Sequence, residues 1–159
     1  MILEAGTLLR KLRDLEAIAG TPSRYVIAFS GGLDSTVLLH ALVTLRDELA
    51  APLLAIHVDH GLHADATAWS EHCRDIAERF GVDFQSRSVN VQLESGKGPE
   101  ASARDARYNA LHAELCAGDW LMSAHHREDQ AETLLLNLIR GSGPMGIAGI
   151  SSIRRFGPG

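Results

Sequence analysis

The sequence lacks the features that place a chain in a membrane. Charged residues interrupt its apolar runs well before the roughly 20 residues that a membrane-spanning helix requires. The first 19 residues, MILEAGTLLRKLRDLEAIA, carry charges through their middle, a pattern that excludes a secretory signal peptide and predicts an amphipathic helix. We therefore expect a cytoplasmic protein that is not inserted in a membrane.

The sequence also has few cysteines and no net positive charge. The two cysteines, Cys73 and Cys116, form neither a CxxC pair nor the spacing of a metal site, so we predict free thiols in a reducing compartment. The formal net charge of -5 argues against a stand-alone nucleic-acid-binding protein, because contact with phosphates requires a basic surface. Repeats are absent, and 159 residues suit one domain, here predicted over 1–159.

The sequence does contain a regular alternation of strand-like and helix-like segments. The strand-like segments are short and either apolar or alternating, at 24–29, 53–58, 82–89 and 120–124. The helix-like segments repeat apolar residues at helical spacing, at 34–49, 65–80, 99–117 and 127–140. This alternation predicts an α/β fold with a doubly wound, mostly parallel sheet and helices on both faces, in which 82–89 could form an edge strand. Ligands bind such sheets outside the carboxyl ends of the strands, where the strand order reverses.

The segment SGGLDST, residues 30–36, follows the first predicted strand. Glycines there let backbone N–H groups turn toward an anion, and the next helix directs its positive end to the same place. Ser30 and Ser35 add hydroxyl donors, and Asp34 offers the oxygen ligand that Mg²⁺ prefers. The alternative is an ordinary turn capped by Asp34 or Ser35. The sequence has neither the GxxxxGK[ST] nor the GxGxxG fingerprint, so this is not a common mononucleotide or dinucleotide loop.

A histidine-rich segment, HVDHGLH at 57–63, ends the second predicted strand. Its residues His57, Asp59, His60 and His63 suggest a zinc site, although their spacing matches closed zinc patterns poorly. The other interpretation is an ordinary polar strand end.

The predicted helix at 99–117 carries two stripes. Glu100, Arg104 and Arg107 share one face, as either an exposed salt bridge or a group that neutralises phosphate. The second stripe is alanine-rich and spaced for packing on the sheet, and consists of Ala103, Ala106, Ala110, Ala113 and Ala117.

The segment AHHREDQAET after the last predicted strand is equally polar. His125, Asp129 and Glu132 cluster near the start of the helix predicted at 127–140. Acids in a first helical turn also stabilise the helix dipole, which accounts for Asp129 but not for the adjacent His125 and His126.

The pattern SGGxDS at the end of a first strand resembles the signature of the PP-loop ATP pyrophosphatases, which have an adenine nucleotide α-hydrolase-like fold. Together with HVDHGLH, PEASARDARY and AHHREDQAETLLLNLIRGSG, in this order, it closely resembles the N-terminal domain of the bacterial tRNA(Ile)-lysidine synthase family. That family uses ATP to adenylate the C2 oxygen of the wobble cytidine in a CAU anticodon. The ε-amine of free lysine then displaces AMP.

The resemblance implies ATP and Mg²⁺ as cofactors, and free lysine and tRNA(Ile) as partners. It is compatible with a homodimer. It implies ATP contacts at the loop and beside the second strand, from Ser30, Gly31, Gly32, Leu33, Asp34, Ser35 and His57. It implies catalytic roles for Asp34, also a tentative Mg²⁺ ligand, and for Arg104, His125 and Asp129. It implies lysine or tRNA contacts from Glu100, Arg107, His126 and Glu132.

The chain departs from the family where it stops, at RRFGPG, since the family continues with C-terminal tRNA-binding domains. This predicts a fragment or an isolated domain. Two rival functions are a PP-loop tRNA thiolase, which the lone cysteines disfavour, and a PP-loop amidase, which usually carries a glutamine-hydrolysing part. A third is a non-catalytic ATP-binding module, which has no need of the polar cluster around His125.

Overall fold

The computed structural model describes residues 5–59, 66–89 and 98–124, apart from the side chains of 99–101. The described residues up to Ser123 belong to one compact unit. Its helices are α1 (Ala5–Ala19), α2 (Leu33–Thr44), α3 (Ala66–Arg79) and α4 (Pro99–Glu114), with a 3₁₀ turn at Arg46–Glu48. Its strands are β1 (Arg24–Ala28), β2 (Leu53–Asp59), β3 (Asp83–Ser88) and β4 (Asp119–Met122). The helix predicted at 127–140 lies outside the described residues.

The four strands form one parallel sheet in the order β3-β2-β1-β4. The chain builds the sheet outward from β1 to β3, and then crosses back to place β4 on the other side of β1. The strand order therefore reverses between β1 and β4, the position where doubly wound sheets bind ligands. The predicted parallel sheet is confirmed, and β3 lies at its edge as predicted.

Side chains alternate between the two faces of this sheet. On one face Val26, Leu54 and Ile56 pack against Leu111 of α4 and against Leu115, which follows the last residue of that helix. The opposite face of β1 presents Tyr25 and Ile27, both fully buried.

Helices α2 and α3 contact each other through the edge-to-face rings of His40 and Phe80. Cys73 of α3 approaches His57 of β2. Helices thus cover both faces, as the sequence predicts.

The predicted end of the helix after β1 is wrong in detail. The helix predicted to run to residue 49 ends at Thr44, and a 3₁₀ turn follows. In that turn Arg46 donates hydrogen bonds to the carbonyl oxygens of Phe80 and Gly81, each at 2.8 Å. The helix ends there, and the Arg46 guanidinium lies at the carboxyl end of α3. Positive charge is favourable at that end because of the helix dipole.

The alanine stripe predicted on α4 packs against the sheet only in part. Ala110 packs against the buried cluster, whereas Ala113 and Ala117 are exposed and Leu111 and Leu115 are buried against the sheet. The reason is that a leucine removes far more apolar surface from water than an alanine, so the two leucines determine which side of the helix faces inward.

None of the helices in the described part of the chain has the length and apolar character that a membrane crossing requires.

An ion pair fastens β4 beside β1. Arg24 and Asp119 are partners in the strand register, and the Arg24 Nε donates to Asp119 Oδ1 at 3.0 Å. The Cys116 N–H donates to Asp119 Oδ2 at 2.9 Å. Burial alone would raise the pKa of the Asp119 carboxyl, but the hydrogen bonds from Arg24 and Cys116 hold that pKa below its ordinary value. The carboxylate is therefore ionised and paired in the folded chain.

We predict that Asp119→Asn lowers the free energy of unfolding by about 2 kcal/mol at neutral pH, the scale of hydrogen bonds to a charged group. A pKa that is lower in the folded state contributes stability above the ordinary carboxyl pKa, and this contribution is lost as pH falls through the folded value. The difference between the two proteins should therefore shrink on acidification. Urea unfolding measured from pH 7 downward tests this.

The matched control is Asp83→Asn, which changes an exposed carboxylate at the start of β3. Equal losses in the two variants, or a difference that grows at low pH, would contradict the role assigned to Asp119.

Candidate functional site

The segment from Phe29 to Gly32 connects β1 to α2 at the carboxyl edge of the sheet, beside the reversal of strand order. Gly32 precedes the helix in extended conformation, with φ -75° and ψ 167°. Leu33, Asp34 and Ser35 form the first turn of α2, whose amides have no acceptors within the helix. The positive end of the α2 dipole and these amides therefore meet at the loop, which suits an anion.

Hydroxyl groups close a ring of hydrogen bonds inside the loop. Ser35 Oγ donates to the Gly32 carbonyl oxygen at 3.0 Å, since a carbonyl only accepts. Its single proton is then used, so Ser30 Oγ donates to Ser35 Oγ at 3.0 Å and accepts the Gly32 N–H at 3.3 Å. Both serine protons are engaged within the loop. The first turn is further fixed because Thr36 Oγ1 also donates to the Gly32 oxygen, at 2.9 Å.

Two side chains from other elements bind the loop from below. The His57 Nδ1 of β2 lies 3.0 Å from the carbonyl oxygen of Phe29, and the Trp69 Nε1 of α3 donates to the carbonyl oxygen of Ser30 at 2.7 Å. Because a carbonyl accepts only, Nδ1 carries the proton in the His57–Phe29 contact. His57 is buried, while the Trp69 side chain is half-exposed.

Gly31 is the position in the loop where α3 leaves no room for a side chain. Its φ of +75° is a conformation that favours glycine. A methyl group at Gly31 would lie 2.5 Å from the Cys73 Sγ and 3.4 Å from the Trp69 Nε1. Burial raises the pKa of the Cys73 thiol to about 11, so the sulfur beneath Gly31 is a neutral packing group.

The structure brings the six predicted loop residues together: Ser30, Gly31, Gly32, Leu33, Asp34 and Ser35. The Leu33 side chain is 78% exposed, so the contribution of this residue to an anion site is its backbone. His57 lies beneath the loop, with its ring nitrogen bound to the backbone.

Arg104 and Arg107 lie on α4, which covers the other face of the sheet. Each guanidinium lies over the ring of Tyr108, at 5.8 Å and 5.6 Å from its centre. Glu100 is in the first turn of α4 without a described side chain, and His125, His126, Asp129 and Glu132 lie outside the described residues.

The sequence pattern does not single out Trp69, and for Cys73 it predicts only a free thiol, which the structure confirms. Their spacing of four residues does predict a shared helical face. It does not indicate that this face meets the loop after β1, because that depends on how α3 crosses the sheet.

No group of three or more potential metal-binding side chains occurs among the described residues. Of the histidine-rich segment, His57 and Asp59 are described, and the Nδ1 of His57 is engaged with Phe29. Asp34, in the first turn of α2, is a carboxylate beside the loop of the kind that can hold Mg²⁺.

Comparison with known proteins shows the family to which this chain belongs. Residues 6–158 match the PP-loop domain family, and the chain belongs to that family. The chain is also similar to several proteins named tRNA(Ile)-lysidine synthase. It is 50% identical over 157 residues to the protein of that name from Alkalilimnicola ehrlichii. The match covers 99% of this chain and 34% of that protein.

Two further relatives with that name show the same relation. The protein from Xanthomonas campestris pv. campestris strain 8004 is 51% identical, over 89% of this chain and 32% of its own length. The protein from Pseudomonas syringae pv. tomato is 50% identical, over 92% and 33%. The chain thus spans about a third of the length of these curated relatives.

The fold is also found in a solved structure, the U34-tRNA thiolase NcsA from Methanococcus maripaludis with its [4Fe-4S] cluster. The TM-score is 0.70 at 19% sequence identity, and the match covers 96% of this chain and 58% of that chain. This similarity confirms the α/β fold.

We predict that Gly31→Ala destabilises the chain by at least about 1–2 kcal/mol, because the left-handed conformation strains a residue with a Cβ and the Cys73 sulfur occupies its place. The adjacent Gly32→Ala is the matched control. Gly32 has φ -75°, and a methyl group there would lie 3.4 Å from Ser30 Oγ. Urea unfolding of both variants should separate them clearly. Equal stability of the two would show that the contact between Gly31 and Cys73 does not constrain the loop.

Proposed function

We propose that this chain is the ATP-binding catalytic region of a tRNA(Ile)-lysidine synthase, a cytoplasmic carbon–nitrogen ligase. The enzyme would join free lysine to C2 of the wobble cytidine in tRNA(Ile) with a CAU anticodon. One observation carries the proposal: a PP-loop with an amide-lined helix start, in a chain about 50% identical to lysidine synthases. The activity is proposed for the whole enzyme, since the matched region is about a third of each relative.

The first step would be attack of the cytidine C2 oxygen on the α-phosphorus of ATP, which releases pyrophosphate. The amides of the loop and of the first turn of α2 would hold the departing pyrophosphate. Asp34, in that first turn, would bind Mg²⁺, which neutralises phosphate charge when present. Such an arrangement needs no loop lysine, because amides, dipole and metal supply the positive field.

In the second step the lysine ε-amine would attack C2, and AMP would leave. The amine has an ordinary pKa of about 10.4, so at neutral pH it must lose a proton before it attacks. We assign Glu100, His126 and Glu132 to lysine or tRNA binding, and His125 and Asp129 to the reacting groups. Each is a side chain that can bind an ammonium or accept its proton.

Arg104 and Arg107 are the proposed contacts to the adenylate phosphate or to RNA. Both guanidiniums lie over the ring of Tyr108, so a single aromatic side chain supports two cations on α4. Planar guanidiniums bind phosphate oxygens in pairs, a geometry that lysine does not offer.

A thiolase is the nearest alternative, and the cysteines count against it. Cys73 is buried beneath the loop with a raised pKa, and Cys116 is exposed in the connection between α4 and β4. An iron–sulfur cluster requires several converging thiolates, and the sequence has two cysteines in all.

The proposal is tested with the full-length enzyme, ATP, Mg²⁺ and CAU-anticodon tRNA, with lysine, ammonia or a sulfur donor supplied in turn. We expect AMP formation and a cytidine heavier by one lysine less water, found only with lysine. Mass spectrometry of the digested tRNA is the measurement. Modification by ammonia or sulfur in place of lysine would refute the lysidine assignment and leave the PP-loop membership intact.

The role of Asp34 has its own test. We predict that Asp34→Asn folds normally but releases pyrophosphate on the order of 100-fold more slowly, because an amide is a poorer Mg²⁺ ligand. The control is Asp47→Asn, an exposed acid in the 3₁₀ turn beyond the other end of α2. Near-normal pyrophosphate release by Asp34→Asn in the presence of tRNA would exclude the metal role.

A further inference from the structure

Two consecutive carbonyl groups of the loop are bound by side chains from outside it. The Phe29 oxygen accepts from His57 of β2, and the Ser30 oxygen accepts from Trp69 of α3. These donors lie far along the chain from the loop, so they are in place only when the sheet and α3 have assembled.

Holding a carbonyl also fixes the N–H of the same peptide unit. The peptide bonds here are trans, so each N–H points opposite to its C=O. Binding of the Phe29 and Ser30 oxygens from below therefore directs the N–H groups of Ser30 and Gly31 away from β2 and α3.

Gly31 allows this orientation of the two peptide units because its φ of +75° turns the chain immediately above the Cys73 sulfur. The loop consequently presents amides on its outer side before any ligand arrives.

We propose that Trp69, with His57, is a positioning residue that sets the direction of the Ser30 and Gly31 amides for a pyrophosphate or triphosphate group. This role rests on the proposed ATP-binding function and adds a residue that the PP-loop signature does not contain. Fixing donors in advance strengthens binding because less order has to be gained when the ligand arrives.

Trp69 is the residue with which the role can be tested. Its side chain is 48% exposed and its ring lies beside His72, with centres 5.1 Å apart, so its replacement leaves the buried core intact. His57 is fully enclosed, and changes there would disturb the core as well as the loop. Trp69→Phe keeps an aromatic ring and removes only the N–H donor and the second ring.

The chain supplies a matched control in its other tryptophan. Trp120 lies on β4, where its ring packs edge-on against Tyr25 of β1, with centres 5.9 Å apart. Its register partner Tyr25 begins the buried part of β1, at the end of the sheet away from the loop. Trp120→Phe therefore makes the same chemical change at a distance from the site.

The experiment measures ATP and inorganic pyrophosphate binding by calorimetry for the unchanged chain and both variants, with thermal unfolding in parallel. We expect Trp69→Phe to weaken both ligands roughly five- to tenfold, the effect of losing one hydrogen bond, with little change in its unfolding temperature. Trp120→Phe should bind both as the unchanged chain does. The Gly31 amide resonance, followed by NMR without ligand, should shift in Trp69→Phe and not in Trp120→Phe.

The outcomes separate the two claims. If the unchanged chain binds ATP and Trp69→Phe binds it equally well, with the Gly31 amide unmoved, the positioning role is overturned and the proposed function stands. If Trp69→Phe and Trp120→Phe lose affinity equally, Trp69 acts through general stability and the role is again overturned. If the unchanged chain binds neither ATP nor pyrophosphate, the proposed function fails, and the positioning role fails with it.

Discussion

The conformation of the loop depends on the close approach of Gly31 to the Cys73 sulfur. A side chain at residue 31 would overlap the sulfur, and the left-handed backbone there already favours glycine. The chain can leave β1 and enter α2 within four residues because this one position turns so sharply. The amides of the first turn of α2, the serine hydroxyls and Asp34 all take their positions from that turn.

The order of the strands explains why this loop is a site and not merely a connection. Since β2 and β4 flank β1 on opposite sides, the helices that follow β1 and β3 lie on opposite faces, and the loop after β1 lies at the carboxyl edge where the strand order reverses. The part-buried ion pair between Arg24 and Asp119 keeps β4 in register beside β1.

Much of this arrangement could be predicted from local patterns. The buried strand before SGGLDST and the largely apolar helix after it define the loop without any tertiary information, and the alternation of elements predicts the parallel sheet. The face of α4 could not be predicted in the same way, because the alanine and leucine stripes both have helical spacing and only their burial against the sheet chooses between them. Trp69 and Cys73 were missed for a related reason, since the crossing of α3 over the loop is a property of the assembled sheet.

The ring of hydrogen bonds among Ser30, Ser35 and Gly32 has a thermodynamic consequence for any ligand. Within the loop each serine proton already has an acceptor. A phosphate oxygen that takes one of these protons breaks a bond inside the loop as it forms a bond with the ligand, so the number of hydrogen bonds hardly changes. In the proposed ATP site the hydroxyls would then act by selecting ligand shape, while the net gain in attraction would come from the backbone amides and the helix dipole.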